Sequence, residues 1–147
     1  MTEKKKQNVF IVGPISPEFI ATSIASHQSK TYVGAHSIFL GQVRADVLND
    51  KVVLAIDYTS YVPMAEEIVH EIREAIFAKY PLSCMHIYHS LGRVEAGQIC
   101  LFVFTSSPHR KEAQEACSEL VERIKSEVPV WGKEILNDDS YIWKENK

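Results

Sequence analysis

The chain has only three cysteines, Cys84, Cys100 and Cys117, scattered without any C-x-x-C spacing. An odd, dispersed set excludes a disulfide framework and a zinc knuckle, and reads as reduced thiols. Glycine and proline are also scarce, at six each, and no repeat, low-complexity tract or linker interrupts the sequence. No apolar run approaches the length of a membrane span. The Lys4-Lys5-Lys6 run imitates the start of a signal peptide, but the apolar run from Val9 to Val12 stops at Gly13-Pro14, too short for an h-region. Basic charge is not in excess: the net charge is -3. No whole-chain field therefore draws nucleic acid or an anionic lipid surface, and any anion site must be a local gathering of cations. H-E-x-x-H, P-loop, G-x-S-x-G and dinucleotide signatures are absent too. These absences predict a soluble, cytoplasmic protein.

What remains is globular. With 147 residues, 46% of them hydrophobic, residues 1–147 are expected to form one domain with a real core. Asn8 to Val12 reads as a short strand. Ser16-Pro17-Glu18 is a helix entry, with a hydroxyl cap and proline at the first helical position, and that helix should run to about His27. Tyr32 to Leu40 and Val52 to Tyr61 read as strands. Pro63 opens a second helix with Ile68, Ile72 and Ile76 on one face and its glutamates largely on the wet side, and Pro81 stops it. Met85 to Ser90 and Ile99 to Thr105 pair as strands around a reversal from Gly92 to Gly97. Ala113, Ala116, Cys117, Leu120, Val121 and Ile124 recur at helical spacing in a third helix, where Cys117 reads as core rather than nucleophile. Short strands near Trp131 to Leu136 and Tyr141 to Trp143 close the chain. The order predicts α+β with a mainly antiparallel sheet and about three main helices.

The candidate chemistry concentrates in Ser106 to Glu134. His109 and Arg110 sit at the start of the third helix, where free N–H groups and the dipole favour an anion and a guanidinium can grip phosphate. At 100° per residue Lys125 lies beside Val121 and Ser118, on the flank of the apolar stripe. From there it either snorkels to solvent or reaches a pocket lined by that stripe. Arg44 follows a strand in Gly41-Gln42-Val43-Arg44, where the glycine permits close approach. Trp131 and Lys133 stand just past Pro129. Large aromatics are usually buried, so Trp131 reads as core or as a clamp. Arg110 and Lys125 are fifteen positions apart, about 22 Å along one straight helix. A small ligand cannot touch both, so either the groove is long or two chains contribute one end each. A site shared across a symmetric dimer is favoured. His86 and His89, three apart in a strand, should face opposite ways and cannot form one metal edge.

Five segments, in order and across nearly the whole chain, resemble the large, catalytic subunit of molybdopterin synthase. They are Phe39-Leu40-Gly41-Gln42-Val43-Arg44; Tyr58-Thr59-Ser60-Tyr61-Val62-Pro63-Met64-Ala65; His89-Ser90-Leu91-Gly92 with Gly97; Ser106-Ser107-Pro108-His109-Arg110; and Pro129-Val130-Trp131-Gly132-Lys133-Glu134. The resemblance implies an α/β-hammerhead-type fold and a homodimer at the centre of a heterotetramer. Each large subunit would hold a small ubiquitin-like sulfur carrier whose Gly-Gly tail ends in a thiocarboxylate. The substrate would be cyclic pyranopterin monophosphate, converted to the molybdopterin dithiolene in molybdenum cofactor biosynthesis without metal or organic cofactor. By the same resemblance Lys125 is the principal catalytic lysine, with Lys133 a second candidate. Gln42, Val43, Arg44, His109, Arg110 and Gly132 to Glu134 would line the substrate. The family usually has a lysine directly after the tryptophan, where this chain has Gly132. Lys133 is next in line for that role, although neighbours in a strand point to opposite faces. The alternative is a non-catalytic homologue that binds a ubiquitin-like partner or a phosphorylated metabolite.

Overall fold

The computed structural model describes residues 8–144, so the Lys4-Lys5-Lys6 run lies outside the described residues. In chain order the elements are β1 (Phe10–Val12), α1 (Pro17–His27), β2 (Ala35–Gln42), β3 (Val47–Leu48), β4 (Lys51–Ser60) and α2 (Val62–Lys79). Then follow β5 (Cys84–Glu95), β6 (Ile99–Ser107), α3 (Arg110–Glu127), β7 (Val130–Leu136) and β8 (Tyr141–Trp143). The sheet runs β2-β6-β5-β4-β7-β8, with β1 added to β5 and β3 to β4. Every pairing is antiparallel except β1 with β5. The α+β class with three helices on a mainly antiparallel sheet is as expected. No helix among the described residues is long and apolar enough to cross a membrane.

The helices cover both faces of the sheet's first half. Ser16 caps α1 by accepting the Phe19 N–H at 3.1 Å, with Pro17 at the first position. This helix lays Phe19, Ile20 and Ile24 on Phe102 and Phe104 of β6. On the other face, α2 and α3 bury a larger core with Leu101, Val103, Met85 and Ile87. β6, apolar on both faces, is therefore an almost unbroken hydrophobic run, as expected of a doubly covered strand. The predicted stripe of α3 is buried at all six positions. The stripe of α2 is centred one position off the expected one, with Ala65, Val69, Ile72 and Ile76 buried and Ile68 only half-buried. Lys79 Nζ and Tyr80 Oη both donate to Glu119 Oε1, at 2.7 and 2.8 Å, and tie the end of α2 to α3.

One boundary departs from the sequence reading in a way that matters for the site. Gly92 does not begin the reversal. β5 runs through it, pairing with β6 from Cys84 to His89 and then with β4 from Gly92 to Glu95. Gly92 takes φ +79° at the exchange of partners, and the reversal itself is made around Gly97 at φ +91°. Both angles fall in the left-handed region that glycine reaches without steric cost. The exchange swings β4 and β7 beside β5, and a hollow opens where that half of the sheet meets the end of α3.

Candidate functional site

The hollow is a cavity of about 580 Å³. Its walls are the end of β2 (Phe39 to Gln42), Ile56 and Tyr58 of β4, His89 of β5, the last turn of α3 and the exit strand from Val128 to Gly132. Arg44, Glu134 and Lys144 complete the rim. Lys125, in the last turn of α3, lines it while remaining exposed. The flank position read from the sequence thus takes the lysine to the pocket mouth, its stem along the apolar stripe and its ammonium in reach of solvent. Arg44 stands at the rim with Asp46, Nε to Oδ1 at 3.3 Å and Nη2 to Oδ2 at 3.3 Å.

Two residues quoted in the motifs, but given no site role from sequence, form the floor. His89 donates from Nδ1 to the Ser90 carbonyl at 2.8 Å, which leaves Nε2 without a proton. Its ring meets Tyr58 edge-on at 5.1 Å. Burial, and then the nearby Lys125 ammonium, lower its pKa to about 4 against the pull of the Ser90 carbonyl. The ring is enclosed by protein yet keeps an edge open to the cavity, so it is a neutral acceptor at neutral pH. Burial first, then the Cys100 thiol, pushes the Tyr58 hydroxyl upward, so it stays a phenol. The signal for His89 was available: its offset of three from His86 sends the two to opposite faces, as expected, and only one face carries the cavity.

The other candidates separate. Gly132 and Glu134 share the cavity-facing side of β7, while Lys133, between them, is turned away by the pleat. Its Nζ rests 4.3 Å from the Tyr141 ring centroid and 5.5 Å from that of Trp143. Val43 is 1% exposed and belongs to the core, anchored by its N–H to the Gln98 carbonyl at 3.0 Å. Only its neighbours Gln42 and Arg44 reach the hollow. Trp131 is 51% exposed at the mouth, not core. His109 caps α3 and Arg110 begins it, both exposed at the end of the helix opposite Lys125. Within one chain they do not reach the cavity. Their corner is set by a close approach: Gly34 N–H donates to the Ser107 carbonyl at 3.1 Å, and a Cβ on Gly34 would stand 2.2 Å from the Pro108 carbonyl oxygen.

A separate cluster lies on the α1 side of the sheet, where the ligand atoms of His27, Cys84 and His86 fall within 4.8 Å of one another. The two Nε2 atoms are 2.8 Å apart, and Lys30 Nζ lies 2.7 Å from Cys84 Sγ. Imidazole nitrogens sharing a tetrahedral zinc at ~2.0–2.1 Å each stand about 3.3 Å apart. The shorter spacing is that of a hydrogen bond, and an ammonium already holds the sulfur.

Fold and cavity together define the class: an α+β protein whose sheet end and helix terminus gather two ammonium groups, a guanidinium, a neutral imidazole and the carboxylates of Asp46 and Glu134 around one hollow. Residues 14–127 match the family model described as MoaE protein. The chain belongs to that family, the family of the molybdopterin synthase catalytic subunits. It is 42% identical over 116 residues to the molybdopterin synthase catalytic subunit of Drosophila willistoni, covering 78% of this chain but only 31% of that protein. The X-ray crystal structure of molybdopterin synthase from Staphylococcus aureus superposes with a TM-score of 0.80 at 31% identity, over 97% of this chain and 99% of that one. A complex of subunits 1 and 2 of molybdopterin-converting factor from Helicobacter pylori shares the fold, with a TM-score of 0.79 at 18% identity, covering 95% and 90% of the two chains.

Proposed function

We propose that this chain is the sulfur-inserting subunit of molybdopterin synthase. It takes sulfur from the thiocarboxylated Gly-Gly tail of a small ubiquitin-like carrier and delivers it to cyclic pyranopterin monophosphate. The observation that carries this reading is the meeting of Lys125, Arg44 and neutral His89 around one cavity in a member of this family. The tail and the substrate are both anions and repel each other. A cavity lined by the Lys125 ammonium and the Arg44 guanidinium offsets that repulsion and favours the charge that gathers on the acyl oxygen as sulfur leaves. Lys125 is the residue for that charge. Its neighbour His89 is uncharged at neutral pH, so its bare nitrogen can accept a hydrogen bond without adding a second cation beside Lys125.

His109 and Arg110 enter the site from a second copy of the chain. Their distance from Lys125 within one protomer, about 22 Å along α3, supports a homodimer in which each cavity is completed by its partner. With one carrier per cavity the assembly is a heterotetramer.

Reconstitution with thiocarboxylated carrier and cyclic pyranopterin monophosphate, read as the fluorescent oxidised derivative of molybdopterin, tests the proposal. Lys125→Ala should lower turnover by about 100-fold or more while leaving carrier binding and melting temperature unchanged. The second reading is a docking module without turnover, favoured by Gly132 and by the turned-away Lys133. Carrier binding by the wild type with no product would select it.

A further inference from the structure

Gly132 leaves its own position on the cavity-facing side of β7 without a side chain, yet the cavity has an ammonium-bearing residue beside that place. β7 and β8 pair Lys133 with Trp143 and Glu134 with Ile142, so the next pair along the ladder is Gly132 with Lys144. The Lys144 N–H donates to the Gly132 carbonyl at 2.7 Å, extending the ladder by that one bond. Residues directly opposite in an antiparallel pair present their side chains on the same face. Lys144 lines the cavity together with Lys125, whereas Lys133 does not. A Cβ placed on Gly132 would stand 3.6 Å from the Lys144 Cβ, 3.4 Å from Tyr58 Cε1 and 3.0 Å from Ile56 Cγ2. A side chain rooted at 132 would thus crowd β4, while one rooted at 144 starts beside it on the cavity lining.

We infer that Lys144 is the second substrate-binding lysine of this chain, reaching the cavity across the strand from Gly132. The inference rests on the sulfur-transfer reading of the cavity and deepens it. Arg44 at the rim is already held by Asp46, so two anions meeting in the hollow call for ammonium charge from elsewhere. A flexible four-carbon stem carries it from β8 to the same volume that a lysine on β7 would serve. Glycine at 132 is part of the device, because the bare backbone lets the Lys144 stem lie against β7 rather than over it.

The test compares wild type, Lys144→Gln, Lys144→Arg and Lys133→Gln as full chains. Each is assayed for product in the reconstituted reaction, for calorimetric affinity toward cyclic pyranopterin monophosphate alone, and for melting temperature. Lys144→Gln should lose about tenfold or more in turnover or substrate affinity at an unchanged melting temperature. Lys144→Arg should keep most of both, and Lys133→Gln should match wild type. The inference is overturned if Lys144→Gln stays within about twofold of wild type in both measures, or if Lys133→Gln falls as far as Lys144→Gln. Should the wild type make no product, the sulfur-transfer reading fails on its own, and the calorimetric comparison still decides Lys144.

Discussion

His27 Nε2 and His86 Nε2 stand 2.8 Å apart beneath the end of α1, so one ring donates the single proton between them and the other accepts it. The His27 Nδ1 position, 2.6 Å from the Ser23 carbonyl, already demands a proton. His27 therefore presents the bare Nε2, and His86 is the donor across the gap. Burial, then His27, Arg73 and Lys30, lower the His86 pKa to about 4.

This pairing makes stability depend on acid. Between pH 6.5 and 4 an unfolded chain protonates His86 while the folded one resists, so the unfolded state binds more protons and stability falls as pH is lowered. His89, lowered to about 4, adds to the same window with the same sign. The melting temperature should drop by a few degrees or more between pH 7 and pH 5. His86→Gln should flatten part of that slope. A pH-independent melting temperature across the window would contradict the assignment.

Gly34 is a steric requirement of the corner before α3. Alanine there brings a methyl group to 2.2 Å from the Pro108 carbonyl oxygen, and both atoms adjoin backbone that cannot swing away cheaply. Gly34→Ala should cost roughly 1–3 kcal/mol in urea unfolding. Because the displaced segment carries His109 and Arg110, substrate affinity should weaken even at temperatures where the variant is fully folded.

The shared site makes a complementation prediction. Arg110→Ala and Lys125→Ala chains should each be impaired as homodimers. After mixing and re-equilibration half the dimers are mixed, each with one intact cavity of two, so activity should recover to about a quarter of wild type. Formation of mixed dimers, verified by mass spectrometry, without any recovery would mean that each cavity draws all its cations from one chain.

The helices were readable because their signals are local. The Ser16-Pro17 entry, the six-residue stripe of α3 and the stop at Pro81 each depend on residues within a few turns. The cavity was only partly readable because it is assembled across strands. Lys125 could be placed from its angle on the helix, and the exclusion of a shared His86–His89 edge followed from strand parity. Lys144 could not be found, since its standing depends on a β7–β8 register that no local pattern states. Val43 reads like its neighbours Gln42 and Arg44 in sequence. A change of register between Gly41 and Gln42 precedes it, and the chain then carries its side chain inward. Trp131, expected in the core on size alone, is half exposed at the start of β7, next to the sheet edge.

β5 has a consequence for how this architecture can vary over time. The helices can absorb substitutions by repacking, but β5 pairs with β6 up to His89 and with β4 from Gly92 on. A single residue inserted between them would slip the second pairing by one place and reverse the face of every side chain beyond it. Val94 would be carried out of the core and its charged neighbours Arg93 and Glu95 into it. Length in this two-residue stretch, Ser90 and Leu91, is therefore far less negotiable than its chemistry, and natural variation should be sought in the reversal around Gly97 instead.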